Sequence, residues 1–481
     1  MTMRQLNRFP QGIKSMPPSK SVTHRAVICA GLAEGESLIR HVLASEDVEA
    51  TLRCMRMLGA RCVPLGDSVS VQGGVGDWVR LEAEIGASQP GELTTGLSSS
   101  GDASSEDASS EDASSEDASS EDASSEDASS DREAAGVLLL DCGESGSTLR
   151  FLMPLAACLA RPVVFVGQGR LLERPLEPFC DLFAEHGVAV VRNKADGACG
   201  CHREDRYGDA GLTVTGPWRS GVFSVPGHIS SQFVSGLLLA LPLLAHDSTV
   251  TVTTVLESAS YVDITLDVMR AFGVEVVHQN YQEFYVAGNQ RYQAGEFGVE
   301  GDYSQAAFFL VAAALGCDCV CRGLREDSRQ GDRKILDILR RCGAAIIREG
   351  DGIRVRGGDL TGITVDISDI PDLVAPLAVL LSFCRGESRI VNGRRLRYKE
   401  SDRLAAVAGE LGKLGADIVE GEDFLVIRGV DSFQGGHVDS RGDHRIAMML
   451  AVAAFRCQEP VWLTGSESVA KSYPNFFEAF C

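Results

Sequence analysis

Five times along the chain a stretch with helical hydrophobic period stops at a glycine, and a short β-branched run begins at once. The junctions are Leu58-Gly59-Ala60, His186-Gly187-Val188, Phe272-Gly273-Val274, Cys342-Gly343-Ala344 and Leu414-Gly415-Ala416. Glycine just past a helix adopts the left-handed conformation that ends it, so each junction predicts a helix followed by a strand. The 3.6-residue period is clear in Val262, Ile264, Leu266, Val268, Met269 and Phe272, and again in Ile335, Ile338 and Leu339. Successive glycines lie 128, 86, 70 and 72 residues apart. Such spacings exceed the roughly 20 to 50 residues of solenoid and propeller repeats. They predict α/β subdomains packed into larger lobes.

The first interval is long because it holds an insertion. From 102 to 131 the unit Asp-Ala-Ser-Ser-Glu repeats, with seven Asp, five Glu and no basic residue. Lacking large apolar side chains and carrying like charges, this stretch has nothing to offset its ordering entropy. A disordered acidic insertion over 87–135 is expected.

The remaining apolar runs, such as 233–245 and 373–384, are shorter than the roughly 20 residues that span a bilayer. No membrane segment is expected. Residues 1–16 have basic side chains but no apolar core of a secretory signal, so a cytoplasmic protein is expected. The 481 residues carry a net charge of −22, which disfavours nucleic acid as a partner. The fifteen cysteines are an odd number without a disulfide framework. Neither Cys199-Gly200-Cys201-His202 nor Cys317-Asp318-Cys319-Val320-Cys321 has the usual zinc spacing, so no metal is expected. No G-x-G-x-x-G follows a strand and no phosphate loop of the G-x-x-x-x-G-K-[ST] type occurs, so neither NAD nor ATP is expected as a cofactor.

Candidate chemistry gathers where polar residues precede apolar helices. Lys20, Ser21 and Arg25 lie just before the run 26–32. A helix N-terminus with two cations is an anion site, although a capped, solvated helix end would read the same way. Glu144-Ser145-Gly146-Ser147-Thr148 offers small residues that let a ligand approach the backbone. Arg170 sits in a glycine-rich turn, and Ser230-Ser231-Gln232 and Ser258-Ala259-Ser260-Tyr261 precede helices that they could cap or whose substrate they could hold. Asp372 follows Ile370-Pro371. Lys399-Glu400-Ser401-Asp402-Arg403 at helical spacing would put Lys399 and Arg403 on one helix face. Asp443-His444-Arg445 and Lys471 complete the set.

In order along the chain, the Lys-Ser-x-x-x-Arg at Lys20, the Ser-Ser-Gln at Ser230, the Ile-Pro-Asp at Asp372, the Lys-Glu-Ser-Asp-Arg at Lys399 and the Asp-His-Arg at Asp443 resemble the enolpyruvyl transferases, and among them the enolpyruvylshikimate phosphate synthase family. The resemblance implies an α/β fold of two lobes, each of three βαβαββ units, with the active site in the cleft between them. The lobes would be 21–299 and 1–20 with 300–481. It implies transfer of the enolpyruvyl group of phosphoenolpyruvate to the 5-hydroxyl of shikimate 3-phosphate, with no cofactor and no metal, by a monomer.

By motif position, Ser21, Arg25, Ser230, Ser231, Gln232, Ser258, Tyr261, Asp372 and Lys399 would hold shikimate 3-phosphate. Lys20, Gly146, Arg170, Arg403, Arg445 and Lys471 would hold phosphoenolpyruvate, with His444 beside them. Asp372 and Glu400 would be the proton-transferring carboxylates, assisted by Lys20. Glu144, Ser147, Phe151 and Arg395 depart from common family residues without removing a required group. Retention of Gly146 implies sensitivity to glyphosate. Two alternatives share the scaffold. The branch that acts on UDP-N-acetylglucosamine resembles Lys-Asn rather than Lys20-Ser21 and commonly has a Cys in the loop of Arg170, where this chain has none. A catalytically silent anion-binding protein is the other.

Overall fold

The computed structural model describes residues 3–7, 9–77, 79–80, 137–193 and 211–480. The expected insertion at 87–135 and the cysteine motif at 199–202 lie outside the described residues. All five junction glycines have positive φ, between 76° and 104°. Each helix therefore ends where the sequence predicts, because only glycine enters that region without steric cost.

Among the described residues the strands form six small sheets. In one, Leu138–Asp141 runs parallel to Pro162–Val166, and the hairpin Ala189–Asn193/Gly211–Thr215 closes antiparallel. The helices Gly146–Ala157 and Glu177–Glu185 make the connections, giving one βαβαββ unit. The sheets around Ser248–Val252 and Glu387–Val391 repeat this order.

Two other sheets borrow their first strand from far along the chain. Glu296–Gly298 joins parallel to Glu36–Arg40, and Gly12–Ser15 joins parallel to Cys319–Arg322. The sixth unit departs from the expected pattern. Its sheet has three strands, with Met3–Leu6 antiparallel to Val461–Thr464 in place of a terminal hairpin. After Thr464 the chain instead forms a 3-10 turn and the helix Phe476–Phe480, whose Phe480 ring packs 5.3 Å from that of Phe309. Core burial of these aromatics takes the chain off the sheet edge, and the N-terminal strand fills it.

Buried apolar side chains divide into two cores, one drawn from Val22 to Val299 and one from Leu6, Met16 and Tyr303 to Phe480. Central helices are apolar all round. All twelve residues of Tyr303–Ala314 are buried, so this helix reads as a continuous hydrophobic run rather than an amphipathic one. Where the two lobes join, the chain crosses twice, side by side. The Ser19 amide donates to Glu300 O at 2.7 Å, and the Asp302 amide donates to Pro17 O at 2.8 Å. Among the described residues no helix is long and apolar enough to cross a membrane. The twelve described cysteines have free thiols.

One local expectation is corrected. Lys399 and Arg403 do not share a helix. Lys399 ends the 3-10 turn Arg394–Tyr398, and the helix Arg403–Lys413 starts only after Asp402, whose carboxylate caps it by accepting from the Ala405 amide at 3.1 Å. The cap favours a break in the helix at Asp402, and the resulting bend brings both cations to the cleft.

Candidate active site

A cleft partly open to solvent lies between the lobes. Helices point their N-termini into it from both sides. Lys20–Leu32, Gly146–Ala157 and Ser231–Ala240 come from one lobe, and Arg403–Lys413 and His444–Ala454 from the other. Aligned dipoles, with the first-turn N–H groups that the side-chain caps leave over, make this a positive lining even before side-chain charges are counted. Small and hydroxylic residues at these ends keep the backbone accessible. A Cβ on Gly146 would stand 2.9 Å from Arg174 Nη1 and 3.2 Å from Arg150 Nη1.

The structure brings Lys20, Ser21, Arg25, Gly146, Ser230, Ser231, Gln232, Ser258, Tyr261, Asp372, Lys399, Glu400, Arg403, His444 and Arg445 to this one cleft. Two of the expected residues lie outside its lining. Arg170 is exposed and pairs with Glu173 at 3.2 Å. Lys471 donates to Glu144 Oε2 at 2.7 Å and to Gly442 O at 2.8 Å. That pair spans the two lobes. Ser258 does not cap its helix. Its backbone is left-handed, with φ 57°, and its amide donates across the cleft to Asp369 Oδ1 at 3.1 Å.

Arg25 is fully buried. Its Nε donates to Thr265 Oγ1 at 2.6 Å, Nη1 to Ser21 O at 2.7 Å and Nη2 to Tyr261 O at 3.0 Å. No carboxylate pairs with it among the described residues, and burial pulls it down to about 10. Arg150 holds Gln232 Oε1 at 2.9 Å, and burial, with Arg174 beside it, lowers it to about 9. Arg174 keeps Nε and Nη2 buried without partners. Such under-neutralised cations are receptors for an anionic ligand.

The opposite wall is an ion-pair network. Arg403 donates to Asp372 Oδ1 at 3.0 Å, to Glu400 Oε2 at 2.5 Å and to Asp443 Oδ2 at 2.8 Å. Arg445 donates to Asp372 Oδ2 at 2.8 Å, and Tyr261 Oη donates to the same oxygen at 3.2 Å. Burial pushes the Asp372 carboxyl up, but Arg445, Lys399 and Arg403 outweigh it and hold the group well below the usual carboxylate range. Glu400 is treated likewise: burial raises it, and Arg403, Arg174, His444 and Lys399 bring it well down. Lys399 is lowered to about 8, chiefly by burial. His444 is buried and neutral, its pKa lowered by burial and by Lys20, and both ring nitrogens lack partners.

The motifs did not single out Arg150, Arg174, Asp302 or Asp332, all of which line the cleft. Arg150 was within reach of a sequence argument, since it lies one helical turn after Gly146. Asp332, in a 3-10 turn between unremarkable residues, carried no signal.

A sequence model of the family described as EPSP synthase (3-phosphoshikimate 1-carboxyvinyltransferase) matches residues 10–88 and 113–480. A 3-phosphoshikimate 1-carboxyvinyltransferase of Clostridium kluyveri is 40% identical over 470 residues, covering 98% of this chain and 94% of that protein. One from Clostridioides difficile is 39% identical, covering 99% and 97%. The structure of an EPSP synthase from Acinetobacter baumannii superposes with a TM-score of 0.70 at 24% identity, over 100% of this chain and 97% of that one, and supports the two-lobed fold. With both halves of the chain matched and the motif residues gathered in one cleft, the chain belongs to the EPSP synthase family of enolpyruvyl transferases.

Proposed function

We propose that this cleft transfers the enolpyruvyl group of phosphoenolpyruvate to the 5-hydroxyl of shikimate 3-phosphate and releases phosphate; the relatives are named for transfer of a carboxyvinyl group to 3-phosphoshikimate. The observation that carries the reading is the pairing of a cationic, hydroxyl-lined wall with a wall holding two carboxylates on shared arginines. Both substrates are polyanions, which explains why an acidic protein concentrates cations at helix starts here.

Ser21, Arg25, Ser230, Ser231, Gln232, Ser258, Tyr261 and Lys399 bind shikimate 3-phosphate. Lys20, Gly146, Arg403, Arg445 and His444 bind phosphoenolpyruvate, and closure adds Arg170 and Lys471. Asp372 accepts the 5-hydroxyl proton, and Glu400 adds a proton to the methylene carbon and later removes one. Lys20, paired with Asp47 at 2.6 Å, assists. In the empty cleft the cations hold both carboxylates ionised. Bound polyanions neutralise those cations and raise both carboxyls, so Asp372 becomes a better base and Glu400 gains its proton. Arginines then stabilise the departing phosphate.

The proposal includes lobes of 21–299 and of 1–20 with 300–481, supported by the paired crossings at Pro18 and Gly301. It also includes a monomer acting in the cytoplasm. One chain supplies both walls of the cleft. The test is phosphate release from phosphoenolpyruvate with shikimate 3-phosphate or UDP-N-acetylglucosamine as acceptor. Release only with shikimate 3-phosphate is expected. Release only with the sugar nucleotide, or with neither, overturns the reading.

A further inference from the structure

One buried carboxylate in the cleft has no part in the chemistry above. Asp332 sits in the 3-10 turn Gly331–Lys334, is 3% exposed and lines the cleft. It makes no ion pair within 4.0 Å among the described residues, and its Oδ1 is buried without a hydrogen-bond partner. Its other oxygen faces Tyr261 Oη at 3.5 Å, while the same hydroxyl reaches Asp372 Oδ2 at 3.2 Å. Tyr261 thus stands between two carboxylates, one ion-paired with arginines and one without an ion pair.

We propose that Asp332 stores the proton taken from the acceptor hydroxyl, receiving it from Asp372 through Tyr261 Oη. This deepens the function above and rests on Asp372 as the base. As the acceptor O–H bond breaks, its electron pair forms the new C–O bond and the proton goes to Asp372. Tyr261 Oη takes that proton while giving its own to Asp332 Oδ2. The net change is one proton moved from hydroxyl to Asp332, with Tyr261 unchanged and no redox step.

The surroundings favour that direction. Asp332 is faced by Asp372 from the turn Pro371–Leu373, by Arg445 from the helix His444–Ala454, by Asp302 and Ser304 at the start of Tyr303–Ala314, and by Tyr261. Burial, with Asp372 beside it and Asp302 near, raises Asp332 to about 7, and Arg445 offsets only part of this. Asp372 is held far lower by its arginines. A proton shared between them therefore settles on Asp332, which passes it to the departing phosphate or to solvent through the cleft it lines before the next turnover.

The test is the pH profile of kcat on the full chain. Wild type should show an acid limb near pH 7, where Asp332 can no longer accept. In Asp332→Asn that limb should vanish, with kcat at pH 8 down at least about tenfold and KM for both substrates within about threefold. Tyr261→Phe keeps Asp332 but removes the bridge and should lose the limb as well, so the idea stays testable if Asp332→Asn does not fold. A merely structural role would lower Tm or raise KM and leave the limb in place. Retention of the limb in either variant, or a kcat for Asp332→Asn within about threefold of wild type, overturns the proposal. Asp372→Asn separates the two levels. A loss of about 10³ in kcat there, with the limb intact in Asp332→Asn, sinks only the relay; a loss under about tenfold sinks the base role too.

Discussion

The two walls of the cleft are built from the same kind of unit and do different work. The wall from the first lobe presents hydroxyls, Gln232 and the cations Arg25, Arg150 and Arg174, with Asp47 as its single acidic lining residue among those described. The wall from the second lobe presents Asp302, Asp332, Asp372 and Glu400 against Lys399, Arg403 and Arg445. An under-neutralised wall gains most from an incoming anion, whereas a wall of mutually paired charges changes its proton affinities when an anion disturbs the pairing. In the reading proposed above both walls hold substrate, whereas both proton-transferring carboxylates stand on the second wall, so neither lobe is competent alone.

The largest break should come from the second wall. Glu400→Gln keeps the shape but cannot carry a proton, and kcat should fall by about 10³ or more with KM little changed, as steady-state phosphate release would show. A variant retaining a tenth of wild-type kcat would place proton transfer elsewhere. On the first wall, Gln232→Ala removes the bridge between Arg150 Nη1 at 2.9 Å and Ser147 Oγ at 2.9 Å. KM should rise about tenfold, equivalent to about 1.4 kcal/mol, with kcat falling less. An effect confined to kcat would erase the distinction between the walls.

The same contrast predicts proton uptake. Filling the cleft with both anions should draw protons from solvent, since Asp372 and Glu400 are held low by cations that the ligands neutralise. Calorimetry with an unreactive phosphoenolpyruvate analogue and shikimate 3-phosphate, in buffers of different ionisation enthalpy, would measure it. Proton release would reverse the assignment.

A smaller effect is expected on stability. Asp332 binds its proton more tightly folded than unfolded, so the native state holds more protons between about pH 4 and its raised value of about 7, and stability falls as pH rises through that window. Asp332→Asn, free of that charge, should raise Tm at pH 8 by a few degrees, and the gain should disappear near pH 4. The least effect should follow removal of residues 102–131. Their composition offers nothing to bury, so kcat and Tm should stay close to wild type.

Much of this was legible in the letters. The five helix stops are dictated locally by glycine, and they came out where the pattern put them. Asp372, Glu400 and most cations of the cleft were legible because they sit in short motifs, whereas Asp47, Asp302 and Asp332 were not. Arg170 and Lys471 were assigned to the donor, yet in the structure each is held by a carboxylate outside the cleft lining. The partner of Lys471 lies 327 positions away, which no local pattern encodes, whereas that of Arg170 is only three residues on.

The repeated α/β unit, the family motifs and the acidic insertion are all readable along the chain, because glycine conformation, hydrophobic period and charge density act between near neighbours. Three features arise only when the chain is folded: Met3–Leu6 completes the last sheet, Lys399 and Arg403 meet by a bend rather than along a helix, and Asp332 lies across Tyr261 from Asp372. The physical reason is that burial and Coulomb coupling set these outcomes, and both depend on which distant groups packing brings within a few ångströms.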